Sequence, residues 1–157
     1  MRVEGKEQYE WELDELSIQV RKGESCDIAA HLATVLAARG IVEIPLLSSA
    51  QIRKMGREER ASATLMQLPD DFYSLLAFTL AQTADEKERE KIRAAGKDLS
   101  LVRLEKLARL SLQGDRQGRI PLQGEERRYL AAHQQLAQTA LRMMVPAAPK
   151  EDGVHGD

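Results

Sequence analysis

Between about Ser48 and Met144 the apolar residues of this chain recur at intervals of three and four, in four successive runs with charged backs and short joints. That spacing belongs to amphipathic helices, because residues three and four apart share one helix face. Four such helices in one segment predict a bundle. Each stripe is wider than a single neighbouring helix can cover, so the chain is expected to bury surface against another polypeptide. The fold class expected is mainly α: a four- to five-helix bundle preceded by a small N-terminal β-rich α/β domain. Residues 1–46 would form the small domain, 47–145 the bundle, and 146–157 a flexible tail too poor in apolar residues to order itself.

Before the bundle the pattern is different. Loose alternation around Trp11 and Leu13, then the clean alternation Ser17-Ile18-Gln19-Val20, reads as a strand that turns at Arg21-Lys22-Gly23. A short strand over Glu24 to Ile28 follows. Ala29, Leu32, Ala33, Leu36 and Ala37 then share a helical face that ends at Arg39-Gly40, and Ile41 to Ile44 reads as a strand stopped by Pro45. A β-β-α-β unit of this size is marginal alone and should lean on the bundle or a partner.

The first bundle helix is expected to start at Ser48, whose spacing to Gln51 suits a capping box, and to carry Ile52, Met55, Ala63 and Met66. Gly56 argues against its continuity. Leu68-Pro69-Asp70-Asp71 predicts the second start, with Pro69 in the first turn and both carboxylates beside the positive end of the helix. Phe72, Leu75, Leu76, Thr79 and Leu80 follow on one face. A third helix over Glu86 to Leu112 would bury Ile92, Ala95, Leu99, Val102, Leu107 and Leu110, kinked at Gly96 and stopped by Gly114. The last, from Gly124 to Met144, carries Leu130, His133, Leu136, Ala137, Ala140, Leu141 and Met144 on one face.

Motifs that carry chemistry are missing. No glycine-rich phosphate loop is present, and His31, His133, His155 and Cys26 fall in no metal-ligand spacing, so no catalytic residue, cofactor or metal site is expected. The lone thiol, the absence of a signal-peptide core near Met1 and the absence of an apolar run of about 20 residues predict a cytoplasmic protein with no membrane span. His133 could serve as a general base with Glu125 or Glu126, but a histidine at a helix interface is the plainer expectation. The pairs Asp70-Asp71 and Glu125-Glu126 are read as helix-start charges.

Charge is uneven: residues 1–45 hold nine acids and five bases, whereas 86–128 hold twelve bases and eight acids. Within the basic stretch, Arg103, Lys106 and Arg109 repeat every three residues and could meet phosphates or an acidic partner. No aromatic residues interleave with them, so any contact with nucleic acid would be weak and confined to the backbone.

Four segments together resemble GINS replication proteins. Leu32 to Ile44 resembles the helix, Arg-Gly turn and strand of their small domain. Leu68-Pro69-Asp70-Asp71-Phe72-Tyr73 and Arg103-Leu104-Glu105-Lys106-Leu107-Ala108 are similar to two helix segments of the larger domain, and Pro121 to Leu130 is similar to the start of its last helix. The order, small domain first, matches the second and third subunit types and the archaeal subunit related to both. The resemblance implies a non-enzymatic scaffold of DNA replication. Its implied partners are a sister GINS subunit, in a dimer or hetero-tetramer, and the ring-shaped replicative helicase with its nuclease-like accessory protein. The candidate interface residues are Phe72, Tyr73, Leu76, Leu80, Tyr129, Leu130, His133, Leu136, Leu141 and Met144. The alternative is a helical nucleic-acid-binding regulator that uses the basic third helix.

Overall fold

A computed structural model describes residues 1–13, 16–112 and 120–144. A small β-rich region comes first and a set of long helices follows. Strand β1 (Arg2–Gly5) is the centre of a three-stranded sheet, antiparallel to β4 (Ser25–Asp27) on one side and to β5 (Val42–Glu43) on the other. Strands β2 (Tyr9–Leu13) and β3 (Leu16–Val20) form a separate antiparallel pair, with Tyr9 opposite Val20 and Trp11 opposite Ile18. The segment expected to be one strand is therefore a hairpin. Strand β1 was not foreseen at all: Arg2 and Glu4 look like a charged lead-in, yet Val3 between them is buried.

Helix α1 (Ala30–Ala38) turns Ala33 and Leu36 inward and stops where the sequence predicts. Gly40 has φ +75°, a left-handed conformation that a side chain would strain. Met1, Val3, Ile18, Val20, Ala33, Leu36, Ile41, Val42 and Ile44 make the core of this region, and Leu75 and Phe78 from the helical part pack against it. A further tie is the Met1 ammonium, which donates to Asp71 Oδ2 and the Ile28 carbonyl, both at 2.7 Å.

Helix α2 (Ser49–Ala61) begins with the predicted capping box: the Gln51 amide donates to Ser48 Oγ, and the Ser48 amide donates to Gln51 Oε1. It passes through Gly56 unbroken, because that glycine is buried and lets α2 approach Leu99. The helix ends at Ala61, so Ala63 and Met66 lie beyond it, and Leu65, not Met66, is buried. Helix α3 (Phe72–Gln82) also starts differently from expectation. Asp71 precedes it with φ 55°, its first turn holds no acid, and Asp71 pairs with Met1 instead of capping. The Phe72 amide donates to Gln123 Oε1, a cap supplied from the far end of the chain.

Helices α4 (Glu86–Leu112) and α5 (Gly124–Met144) span the predicted residues. Gly96 serves close packing: a Cβ there would lie 2.8 Å from Leu76 Cδ2 of α3. The buried line of α4 is Ile92, Ala95, Gly96, Leu99, Arg103, Leu107 and Ser111, so an arginine occupies the line where Val102 was expected. The Gly114 stop, the turn at 115–118 and the tail from Val145 lie outside the described residues.

Pairings along the helices set their directions. Ser49, Gly56 and Glu59 of α2 meet Glu88, Leu99 and Arg103 of α4, so α2 and α4 run the same way. Glu126 and His133 of α5 meet Arg103 and Ser111, so α5 runs that way too. Helix α3, with Tyr73 at Glu126 and Leu76 at Gly96, runs opposite.

Candidate interaction surface

Where α2, α4 and α5 converge, a charged cluster is buried except at the edge of Lys106. Arg103 is 0% exposed. Its Nε and Nη2 donate to the two carboxylate oxygens of Glu126 at 2.5 and 2.8 Å, and Nη1 donates to Glu59 Oε2 at 2.6 Å and the Met66 carbonyl at 2.9 Å. Lys106 Nζ reaches Glu59 Oε1 at 2.6 Å, and Tyr73 donates to Glu126 Oε1 at 2.9 Å. Two carboxylates face two cations here, so the local charge cancels. Buried charges are tolerated only when so paired, since desolvation of each alone costs several kcal/mol.

The titration of the cluster follows from these contacts. Burial pushes the Glu126 carboxyl up, but the Arg103 hydrogen bonds, the Gln123 amide and the Arg103 charge outweigh it, and the net shift is below the ordinary 4.5. Burial likewise opposes the Arg103 charge, yet Glu126 and Glu59 hold it above the usual guanidinium value. Burial, then the Glu126 charge and hydrogen bond, push the Tyr73 hydroxyl well up, which keeps it a donor. Because the folded-state value for Glu126 is depressed, its stabilisation is fully present above 4.5 and is lost as pH falls through the folded value. Urea unfolding at stepped pH should therefore show wild-type stability falling below about pH 4.5, and Glu126→Gln should be weaker at neutral pH with a shallower acid slope. Parallel acid slopes for the two proteins would contradict this account.

The cluster corrects the phosphate-contact expectation. Arg103 and most of Lys106 face inward to carboxylates, and only Arg109 is exposed, where it pairs with Glu105 at 2.5 Å. Glu126 is likewise more than a helix-start charge: besides accepting from the Gln123 amide at 3.0 Å, it is the main partner of Arg103.

The candidate interface residues divide into two groups. Phe72 and Leu130 are buried, Leu76 and Leu80 pack half-buried against the Ile52–Phe72–Leu99 cluster, and Tyr129 packs beside Leu107 and Leu130. Tyr73 serves the charged cluster. His133 Nδ1 lies 2.7 Å from Ser111 Oγ, which also donates to the Ala108 carbonyl at 2.6 Å, and its ring tilts against Tyr129. The Glu126 carboxylate is held at Arg103 and not at His133. By contrast Leu136, Leu141 and Met144 are 66%, 55% and 78% exposed, as is Met143 at 79%.

The reason for that exposure is geometric. Among the described residues α4 ends at Leu112, level with about residue 134 of α5, so the last ten or so residues of α5 extend about 15 Å past it. On a helical wheel Leu136, Ala137, Ala140, Leu141, Met143 and Met144 fall within roughly 160° of arc, with Gln135, Gln138, Thr139 and Arg142 opposite. This face continues the one that α4 covers at Glu126, Leu130 and His133. The end of α5 thus carries the largest group of exposed apolar side chains, while Val35, Leu46, Met66, Leu101 and Leu112 are exposed elsewhere.

Among the described residues no group of three or more His, Cys, Asp or Glu side chains is placed to hold a metal ion, and no helix is long and apolar enough to cross a membrane. Burial, then Asp27 and Glu24, raise the Cys26 thiol above its ordinary value, which suppresses the reactive thiolate. Set against known proteins, the chain matches no family model and no curated protein sequence.

Proposed function

We propose that this chain is a non-enzymatic scaffold subunit of a GINS-type replication assembly, in which it pairs with a sister subunit and helps to join the replicative helicase to its accessory protein. The architecture, a small β-rich region before a helical bundle, is consistent with a protein-interaction module. The observation that carries the reading is the overhanging end of α5, whose apolar face has nothing of the described chain against it. Exposed apolar faces of this kind mark association sites. From Arg127 to Met144 the helix holds no acid, so a partner helix with an apolar seam and acidic flanks fits it best.

Co-expression with an archaeal GINS sister subunit should yield a stoichiometric complex in native mass measurement. The double variant Leu136→Glu/Leu141→Glu should lose that complex, while its unfolding free energy stays within about 0.5 kcal/mol of wild type because both side chains are exposed. A lone, stable monomer that ignores the sister subunit would overturn the proposal.

A further inference from the structure

A second surface lies on a different face of the bundle. A cleft of about 900 Å³ opens between the end of α2 and the C-terminal part of α4. Leu65, Val102, Leu110 and Ile120 supply apolar wall, Arg60, Lys106 and Arg109 supply positive charge, and Glu105 supplies the one carboxylate. Two of these cations are committed, Lys106 to Glu59 and Arg109 to Glu105. Arg60 is exposed and forms no salt bridge with a described residue.

Arg60 is the end of a line. Arg53, Arg57 and Arg60 stand four and three residues apart on α2, within about 60° of arc, and all are exposed. None of them forms an ion pair or hydrogen bond among the described residues. The exposed acid of this helix, Glu58, lies off the line and faces Lys54 at 3.9 Å. Three guanidinium groups without a partner among the described residues thus lead along one helix flank into a cleft with an apolar wall.

We propose that this stripe and cleft form a docking site for an extended acidic peptide segment of a partner protein, anchored by an apolar side chain in the cleft. Spacing and charge both favour such an occupant. The arginines advance about 6 Å and then 4.5 Å along the helix axis, and an extended chain places same-face side chains about 6.6 Å apart. Carboxylates at alternate positions of a strand therefore come within reach of successive arginines, each as a planar guanidinium–carboxylate pair. Nucleic acid is the weaker fit. No aromatic side chain flanks the line to stack on a base, and the apolar wall of the cleft suits a side chain better than a phosphate.

This inference rests on reading the chain as an interaction module, but it uses none of the α5 surface, so the two can fail separately. The test is fluorescence anisotropy of the full chain at low salt, about 50 mM, where exposed charges are least screened. The probes are a labelled synthetic peptide with three glutamates at alternate positions and a leucine pair at one end, made in both orientations, its glutamine counterpart, and an oligothymidine.

The glutamate peptide is expected to bind at least about ten-fold more tightly than the glutamine peptide, and reversing three attractions in Arg53→Glu/Arg57→Glu/Arg60→Glu should abolish that preference. Ala63→Trp, which fills the cleft from an exposed position, should weaken binding while leaving its salt dependence unchanged. Equal binding of the two peptides, no binding by wild type, or displacement of the peptide by oligothymidine at equal concentration would each overturn the proposal. Lost peptide binding with sister-subunit association intact removes this site alone, and the reverse result removes the GINS-type reading alone.

Discussion

Arg103→Met should lower the unfolding free energy by about 3–5 kcal/mol, read from urea denaturation at neutral pH. The methionine fills much of the same volume, so the loss is electrostatic in origin. Glu126 and Glu59 would each lose a charge-assisted partner inside the bundle, and the Met66 carbonyl would lose a donor. Against a total stability of about 5–15 kcal/mol, such a loss approaches unfolding. Arg103→Lys should recover little, because one ammonium cannot serve both oxygens of Glu126 and also reach Glu59. A loss under about 1 kcal/mol would mean that water enters and solvates the cluster, contrary to the burial described.

Phe72→Ala should cost about 3–5 kcal/mol by the same measurement, here from lost packing. The ring is fully buried among Leu47, Ile52, Leu68, Ile92, Ala95 and Leu99, and it stands edge-on to Tyr73 with centroids 5.3 Å apart. Its amide is the donor that Gln123 caps, so collapse around the cavity would also disturb the start of α3 and the entry to α5. Phe72→Leu, which keeps most of the volume, should lose considerably less. Equal losses for the two variants would show that the backbone start of α3, and not the ring, carries the stability.

Long periodic segments were the most legible part of the chain. Helices α4 and α5 fall where the spacing of Ile92, Leu99, Leu107 and Leu130 puts them, and Ser48 with Gln51 marks the start of α2. Strand β1 was hidden because its alternation runs for only four residues; it is a strand because β4 and β5 pair with it from later in the sequence. The capping expected of Asp71 failed for a similar reason, since the Phe72 amide is capped by Gln123, fifty-one residues away.

The buried cluster had a signal that went unused. Arg103 lies four residues from both Leu99 and Leu107, Glu126 four before Leu130, and Glu59 seven after Ile52. Each charge is in phase with an apolar stripe, which is where a buried pair must sit. Reading Arg103 with Lys106 and Arg109 as one basic face hid that phase. Excess apolar surface was expected of every stripe, whereas its largest exposed group lies at the end of α5, a place that depends on the offset between α4 and α5, a long-range quantity.

Three of the four long helices point the same way, so their peptide dipoles reinforce each other and only α3 opposes them. Each co-directional helix carries arginine in its final turn, Arg60, Arg109 and Arg142, while α4 and α5 carry glutamates in their first. These side chains screen the crowded carbonyl and amide poles that aligned helices would otherwise present. The bundle is thereby built like a bar with its poles dressed in opposite ions, and a neighbour approaching it meets a preferred end before it meets any particular residue.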